Sequence, residues 1–429
     1  MLLTAKQISA NIELYSESAE RGIFMYINRG VEKIVFKMLK MFKVILVTGP
    51  RQVGKTTMLK YMLGNDYSYV TLDDINELEL AKSDAGLFFL NHPGKIIIDE
   101  VQNAPELFLE IKRIVDASEE YGKIILTGSQ TFSLMSNVDE TLAGRVGIIE
   151  MNGLSLREIT GSGFEKPVMA TEEYLNRKDE AVSAEELWNT IHRGDLPELY
   201  RNELADWNLY YSSYIKTYIE RDVRMLINVR DLASFSRFII ALAARTSQLL
   251  NYNAIANELG VDMQTVKRWI GILEISGIIV LIQPFSNNQL SRVIKTPMIY
   301  FMNTGLVCHL LKWNTPEVLM NGAMSGAILE TYVVSEIIKS FKNAGTINVP
   351  VYFYRDKDMK EIDVIIEDAG ILYPIEIKKA TMPKATMIKN AALLEKAKGY
   401  TVGNKMIMCL VGKKIYLAKD VVAYPIAQI

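Results

Sequence analysis

One short run of residues constrains the fold of this chain more than any other feature. An apolar stretch, Val44-Ile45-Leu46-Val47, ends at Thr48 and leads directly into Gly49-Pro50-Arg51-Gln52-Val53-Gly54-Lys55-Thr56. These eight residues match the pattern G-x-x-x-x-G-K-[ST] at every fixed position, between a predicted strand and a helix predicted over 57–63. In this pattern, backbone N–H groups surround phosphate oxygens at the start of a helix. The sequence therefore predicts a phosphate-binding α/β domain.

Each part of the loop has an expected task. Glycines let the backbone close around the phosphates of ATP, Lys55 reaches the β- and γ-phosphates, and the Thr56 hydroxyl is a ligand for Mg²⁺. The alternative, a chance glycine turn, leaves the flanking strand and helix unexplained. The candidate nucleotide-binding residues are Gly49, Pro50, Arg51, Gln52, Val53, Gly54, Lys55, Thr56 and Thr57.

A second apolar strand ends in two acids, Ile96-Ile97-Ile98-Asp99-Glu100. Next to a phosphate-binding loop, Asp99 would hold Mg²⁺ through water, and Glu100 would polarise the water that attacks the γ-phosphate. The alternative is a solvated acidic pair at the end of a strand. Together the two motifs predict ATP hydrolysis.

Two further positions are candidate members of this site. A strand at 124–127 leads into Gly128-Ser129-Gln130, where Ser129 or Gln130 can sense the γ-phosphate or orient the water. Arg145 comes just before the next strand and can neutralise transition-state charge, in its own subunit or in a neighbouring one. A surface arginine fits its spacing nearly as well.

These motifs resemble those of the prokaryotic AAA-type ATPases related to the archaeal-ATPase and STAND groups. The resemblance rests on residues 49–57, on Asp99-Glu100-Val101-Gln102, on Leu126-Thr127-Gly128-Ser129 and on residues 142–145, and it extends to 194–198 and 214–222, which are similar to a linker in such proteins. At Gly194-Asp195 the family more often has two glycines. The resemblance implies an ATPase followed by a C-terminal domain.

Residues 253–282 predict a helix-turn-helix followed by a strand. A short helix at 253–259 and a turn at Gly260-Val261 precede Asp262, an N-cap for a helix over 263–275. Gln264, Thr265, Lys267 and Arg268 point outward. This order fits a winged helix that contacts DNA, whereas packing between domains is the alternative because the outer face is only mildly basic.

Three charged residues lie on a predicted hairpin near the end of the chain. Asp363 lies in one strand, and Glu376 and Lys378 share a face of the returning strand because residues two apart point the same way. Asp363 and Glu376 would bind Mg²⁺, and Lys378 would position or deprotonate water for phosphodiester cleavage. Solvated charges on an exposed hairpin are the alternative.

This set resembles the restriction-endonuclease-like superfamily, in which an acid, an E-x-K pair on the next strand and a helix glutamate form the site. Glu330, on a helix predicted over 326–341, is the candidate helix glutamate and a further metal ligand. After residue 330 the chain has 15 lysines and arginines against 10 acids, which fits a DNA or RNA partner. The resemblance leaves open whether cleavage is retained.

Composition narrows the class of protein. The 429 residues, 49% of them hydrophobic, are typical of several folded domains, and the formal net charge of −2 excludes a polybasic nucleic-acid coat. Two cysteines and three histidines exclude a disulfide scaffold and a cysteine-based zinc cluster, and they suit a cytoplasmic protein. We expect no signal peptide and no membrane span.

The expected architecture is α/β: a P-loop parallel sheet with flanking helices, then a winged helix-turn-helix and a C-terminal mixed α/β restriction-endonuclease-like domain. Its expected parts are a helical leader at 1–41, the ATPase domain at 42–160, a loop and helical linker or lid at 161–230, the winged helix at 231–290 and the nuclease-like domain at 291–429. The sheet strands are expected at 44–47, 68–72, 95–98, 124–127 and 147–151.

The sequence favours an ATPase that couples nucleotide hydrolysis to a nucleic-acid-associated, nuclease-like module. The alternative is a nucleotide-switched DNA- or protein-binding regulator whose C-terminal domain does not cleave. A homo-oligomer is a candidate assembly in either case.

Overall fold

The computed structural model describes residues 26–129, 134, 138, 140–178, 181–219, 232–286 and 296–429. Most of the leader expected at 1–41, Gln130, and residues 220–230 of the linker or lid expected at 161–230 lie outside these ranges. In the described part of the leader, helix α1 covers Glu32–Met38. No helix of the described ranges is long and apolar enough to cross a bilayer.

The N-terminal part of the chain is built on a five-stranded parallel sheet. Its strands are β1 (Val44–Thr48), β2 (Ser68–Thr71), β3 (Ile96–Asp99), β4 (Ile124–Thr127) and β5 (Val146–Glu150). Their spatial order is β2-β3-β4-β1-β5, and every pairing is parallel. The carboxyl ends of β1, β3 and β4 therefore meet at one edge, where a ligand of an open α/β sheet binds.

Helices cover both faces of this sheet, as its continuous apolar strands predict. They are α1, α2 (Lys55–Leu63), α3 (Ile75–Ser83), α4 (Ala85–Asn91) and α5 (Leu107–Asp116). Successive residues of β1 point to opposite faces, so Ile45 and Val47 belong to one apolar core, whereas Val44 and Leu46 belong to the other. A strand buried on both faces has to be apolar throughout.

A helical linker follows β5. Its helices are α6 (Leu156–Thr160), α7 (Glu172–Leu175), α8 (Ala184–Arg193), α9 (Glu198–Arg201) and α10 (Trp207–Tyr214). Ser155 and Ser183 begin α6 and α8 with capping boxes, in which a glutamate three residues later bonds back to the serine. Helix α7 lies inside the region that the sequence predicts as a loop. A π-helical turn, Ile215–Ile219, ends this part.

Two helices joined by a short turn occupy the segment in which the sequence predicts a helix-turn-helix. Helix α11 (Leu232–Ala243) is followed by α12 (Tyr252–Leu259) and α13 (Met263–Ile275). Asp262 caps α13 by accepting a hydrogen bond of 2.9 Å from the Thr265 backbone N–H. Two antiparallel strands follow, β7 (Ile279–Pro284) and β8 (Met298–Phe301), and β8 also pairs with the short β6 (Gln248–Leu249).

The C-terminal part continues the same sheet. Its helices are α14 (Thr304–Leu310), α15 (Pro316–Asn321) and α16 (Ser325–Asn343). Its strands are β9 (Val351–Arg355), β10 (Glu361–Asp368), β11 (Ile371–Lys378), β12 (Thr401–Val402), β13 (Lys405–Cys409), β14 (Ile415–Ala418) and β15 (Val421–Pro425). The main path of the sheet is β14-β15-β13-β11-β10-β9-β7-β8-β6.

Strand β7 pairs across the boundary that is expected after residue 290. It pairs with β8 on one side and, in parallel, with β9 on the other. A boundary after residue 290 would separate paired strands. One apolar core also contains Tyr174 of the linker, Leu273 of the helix-turn-helix and Ile375 of the last part. The three expected units therefore share one core, and the last two also share a sheet.

This shared core predicts that the C-terminal half loses its structure as a unit. Leu273 is fully buried in α13, and Leu273→Ala should cost about 2–5 kcal/mol because it leaves a cavity. We expect amide hydrogen exchange to speed up in β11 as well as in α13, while β3 of the other sheet is unaffected. A β11 that keeps its wild-type protection would contradict the shared unit.

Candidate functional site

The P-loop places its lysine over the loop carbonyls. Helix α2 begins after Gly54, whose φ of 91° lies in the left-handed region that favours glycine. The Lys55 ammonium donates hydrogen bonds to the carbonyls of Gly49 (3.0 Å) and Pro50 (2.8 Å). Burial lowers the pKa of Lys55 to about 8, against the opposing negative charges of Glu100 and Asp99. Such a desolvated cation gains most from an anion bound in the loop.

The Asp99 carboxylate lies at the meeting point of the two predicted motifs. One oxygen accepts hydrogen bonds from the hydroxyls of Thr56 (2.9 Å) and Tyr69 (2.7 Å), and the other accepts one from Thr127. Asp99 is 7% exposed. A buried carboxylate next to a threonine hydroxyl is a set of hard oxygen donors, which fits Mg²⁺.

Glu100 is held in an uncommon conformation directly after β3. Its φ of 56° places a non-glycine residue in the left-handed region. The Gln102 side-chain amide donates a hydrogen bond to the Glu100 carboxylate and lies 3.4 Å from the Ser129 hydroxyl. Gln102 therefore connects two candidate residues from different strands. No motif in the sequence assigns it this role.

Arg145 lies away from these residues. It comes directly before β5, so it is at the amino-terminal edge of the sheet, opposite the P-loop. There it forms an ion pair with Asp116 at the end of α5. A role in its own subunit's phosphate site does not agree with this position, because the length of the strands separates the two edges. A role in a neighbouring copy stays a prediction.

Arg29, which lies outside every motif, reaches the back of the P-loop. Its guanidinium donates hydrogen bonds to the carbonyls of Val53 (2.6 Å), Asn152 (2.7 Å) and Gly153 (3.3 Å), and it lies 3.0 Å from a Glu158 carboxylate oxygen. Both charged side chains are buried. No signal in the sequence distinguishes this arginine, because its partners come from three separate segments.

A cavity of about 370 Å³ opens beside the loop. Gln52, Val53, Gly54 and Thr57 line it from the P-loop side. Across the cavity its lining is formed by Tyr26, Ile27, Arg29, Leu154, Pro197, Glu198, Arg201 and Tyr210. It has the position and the mixed apolar and polar lining expected of a small-molecule site.

The C-terminal hairpin brings together three of the predicted residues. The Lys378 ammonium lies 2.7 Å from a Glu376 carboxylate oxygen and 3.3 Å from one of Asp363. The same Asp363 oxygen accepts a hydrogen bond of 2.8 Å from the Ile377 backbone N–H. Asp363 and Glu376 are 8% and 7% exposed, so these are not solvated charges on an exposed hairpin.

Glu330 is adjacent to this cluster but bonded elsewhere. It accepts a hydrogen bond of 2.8 Å from the Tyr300 hydroxyl on β8. Burial, followed by the negative charge of Asp363, raises the pKa of Glu330 to about 8. Burial and Asp363 likewise raise the pKa of Glu376 to about 7. Within the described ranges, no three acidic, histidine or cysteine side chains are arranged to hold a metal ion.

The outer face of the helix-turn-helix is open. Gln264, Lys267 and Arg268 on α13 are exposed, whereas Val266 and Trp269 are buried in the core. The inward and outward faces therefore agree with the helical spacing of the sequence.

Comparison with known families divides the chain into three parts. Residues 41–160 match the family model described as an AAA domain. Residues 184–317 and 325–429 match two families described as Domain of unknown function (DUF8612) and Domain of unknown function (DUF4143). The N-terminal sheet is therefore similar to an AAA domain, and this match supports ATP binding and hydrolysis. A nuclease fold finds no support in these matches.

Two mycobacterial proteins, both described as uncharacterized, are similar to this chain over most of its length. One protein from Mycobacterium tuberculosis and one from Mycobacterium bovis are each 27% identical to this chain over 392 residues, which cover 90% of this chain and 82% of theirs. Among solved structures, a Walker-type ATPase of Pyrococcus abyssi matches with a TM-score of 0.44 and 16% identity, over 68% of this chain and 97% of that one. RuvB of Thermotoga maritima matches with a TM-score of 0.30 and 16% identity, over 58% and 88%.

The first loop glycine is predicted to be indispensable for the shape of the P-loop. Gly49 has a φ of 141°, and a Cβ atom there would lie 2.0 Å from the Met151 carbonyl oxygen. Gly144 has a φ of 76° with nothing within 4 Å of its Cβ position, so Gly144→Ala measures backbone strain alone, about 1–3 kcal/mol. Gly49→Ala should lose clearly more in urea unfolding. Equal losses in the two variants would contradict this packing.

Proposed function

We propose that this protein binds ATP with Mg²⁺, hydrolyses it, and passes its nucleotide state to the C-terminal half. The observation that carries the proposal is the convergence of Lys55, Thr56, Asp99 and Glu100 at the carboxyl edge of the parallel sheet. Two of these residues belong to the P-loop and two to the next motif. The two motifs touch where the Thr56 hydroxyl bonds to Asp99, although these residues are 43 positions apart in the chain.

Each of these residues has a separate role in ATP hydrolysis. Loop N–H groups and Lys55 hold the β- and γ-phosphates, so the negative charge that develops during transfer is stabilised in place. Thr56 and Asp99 hold Mg²⁺, which when bound neutralises phosphate charge. Glu100 takes the proton of the attacking water. Gln102 and Ser129 position Glu100 through the hydrogen bonds described above.

The cavity beside the loop is our candidate for the base and ribose of ATP. It begins at Gly54 and Thr57, where phosphates bound in the P-loop would end. Ile27 and Pro197 supply apolar surface for a base, and Glu198 and Arg201 supply polar groups. The linker would therefore contact the nucleotide directly, which gives it a route to sense whether ATP is present.

Replacement of the water-activating carboxylate should separate binding from hydrolysis. Glu100→Gln should retain ATP and Mg²⁺, because the P-loop and Asp99 are intact, but should hydrolyse ATP about 10²–10⁴-fold more slowly. ATP affinity by calorimetry and phosphate release give the two readouts. Glu106→Gln removes an exposed acid six residues away and should change neither.

Comparing Lys55→Ala with Glu100→Gln distinguishes an error in the role of Glu100 from an error in the identification of the nucleotide site. Lys55→Ala should abolish ATP binding in a folded protein, because the loop loses its cation. A Glu100→Gln variant that cannot bind ATP would show that its role is misassigned. A folded Lys55→Ala variant with wild-type hydrolysis would end the P-loop proposal.

A second candidate function is cleavage of DNA or RNA by the C-terminal hairpin. Two buried carboxylates that share one lysine favour it, because such an arrangement is costly unless it binds a cation or orders water. The exposed Lys267 and Arg268 would hold the nucleic acid. The alternative is a nucleotide-switched regulator that binds DNA or protein without cutting, and the absence of a three-ligand metal group in the described ranges favours it.

Asp363→Asn decides between these two C-terminal functions. If the hairpin cuts, this variant should abolish Mg²⁺-dependent nicking of plasmid DNA and leave ATP hydrolysis nearly unchanged. Asp368→Asn, at the exposed end of the same strand, is the matched control and should cut normally. If wild type cuts neither DNA nor RNA with Mg²⁺ or Mn²⁺, cleavage is excluded and the regulator is favoured.

A further inference from the structure

A buried group of three charges lies between the linker and α16. The Lys339 ammonium is 2.9 Å from an Asp195 carboxylate oxygen and 3.0 Å from one of Glu336. Lys339 and Glu336 are 2% and 3% exposed. Although burial opposes it, the charges of Asp195 and Glu336 raise the pKa of Lys339. Buried ion pairs are costly to desolvate, so they add geometric definition more readily than stability.

These charges hold one face of a short segment, residues 152–158, which we name the coupling segment. The Lys339 ammonium donates a hydrogen bond to the Leu154 carbonyl at 3.0 Å. Glu336 accepts one from the Leu156 backbone N–H at 2.8 Å. The Asp195 backbone carbonyl accepts one from the Leu154 N–H at 2.7 Å. Both the side chains of α16 and the backbone of the linker therefore fix the position of this segment.

Arg29 holds the other side of the coupling segment. Its bonds to the carbonyls of Asn152 and Gly153 are made by the same guanidinium that bonds to the P-loop carbonyl of Val53. Glu158, at the end of the segment, pairs with that guanidinium and also accepts a bond of 2.7 Å from the Gly30 N–H. One short segment thus connects a P-loop contact with a contact to α16.

Helix α16 extends this connection towards the C-terminal hairpin. It contains Glu336 and Lys339 near its end and Glu330 near its beginning. Glu330 accepts a hydrogen bond of 2.8 Å from Tyr300 on β8, and α16 packs against β11, which carries Glu376 and Lys378. A shift of α16 would therefore move a group next to the hairpin cluster, so a single helix contacts both the coupling segment and the second candidate site.

We propose that the coupling segment transmits occupancy of the P-loop to α16, with Arg29 as its link to the P-loop and Lys339 as a positioning residue that touches no nucleotide. This proposal rests on ATP binding at the P-loop. Phosphates that enter the loop displace Val53 and, through Arg29, the segment. Packed elements with two discrete arrangements amplify small displacements of this kind. Because coupling is reciprocal, a change at α16 must alter ATP affinity.

The double variant Asp195→Asn with Lys339→Met tests the proposal by removing the ion pair that joins the linker to α16, while Glu336 keeps its hydrogen bond from the Leu156 N–H. Removing both partners of a buried pair together is usually tolerated. We expect ATP affinity, measured by calorimetry with Mg²⁺, to change by about fivefold or more, the usual lower range of coupling between sites. The matched control is Lys405→Met with Asp420→Asn, which removes a lysine–aspartate pair of the same 2.9 Å length on the distant β13 side. Its ATP affinity should match wild type.

Hydrogen exchange supplies a readout that a merely structural role would not alter. In wild type, Mg²⁺ and ATP should slow exchange at the Leu154 and Leu156 amides and in α16. In the double variant the α16 response should disappear while the P-loop response persists. If the double variant does not fold, Arg29→Lys, which keeps the charge but shortens its reach, should lose the same α16 response.

The outcomes separate this proposal from the one on which it rests. A wild-type protein that binds no ATP overturns both. A folded double variant with wild-type ATP affinity and an unchanged α16 response overturns the coupling and leaves the ATPase proposal standing. An Arg29→Lys variant that keeps the α16 response also overturns the coupling alone.

Discussion

Parallel pairing of β1 between β4 and β5 is the constraint on which the candidate nucleotide site depends. Because all five strands run the same way, each loop that follows a strand emerges at the same edge. Lys55, Asp99 and Ser129, which are far apart in the chain, meet there for that reason alone. The apolar runs that form the strands therefore determine the chemistry of the site indirectly, by fixing where each polar residue emerges.

The C-terminal half follows a different principle. Its parts share one large apolar core, besides two smaller clusters that include Ile407 and Leu372, and polar groups are held at the boundaries between the parts. Tyr300 on β8 bonds to Glu330 on α16, and Lys339 on α16 bonds to Asp195 in the linker. Specific polar contacts of this kind restrict how packed elements can slide past one another. The second half thus resembles one cooperative body, and residues 152–158 lie among its contacts with the N-terminal domain, together with the Lys342–Glu150 ion pair.

Features that depend on residues close together in the chain could be predicted from the sequence, whereas contacts between distant segments could not. The P-loop, the five parallel strands, the N-cap at Asp262 and the E-x-K face of β11 each depend on residues close together in the chain, and the structure has them. Arg29 could not be found in this way, because its partners lie at Val53 and near residue 152. The spacing of Arg145 predicts a place near the phosphates, although a residue directly before a parallel strand emerges at the wrong edge. Nothing in β7 itself reveals that it has two partners, so the sequence could not show that strands on both sides of residue 290 belong to one sheet.

The two partners of β7 have a consequence for anyone who wishes to study the helix-turn-helix alone. A fragment limited to residues 231–290 would lose β8 and β9 together, and both sides of β7 would then present unpaired N–H and C=O groups. An apolar strand in that condition recruits other copies of itself, so insoluble material is the expected product. The smallest fragment in which every strand of the sheet keeps its hydrogen-bonded neighbours therefore extends through the last strand. If α13 binds a nucleic acid, the whole C-terminal half would hold it, because the two helices cannot move independently of the sheet.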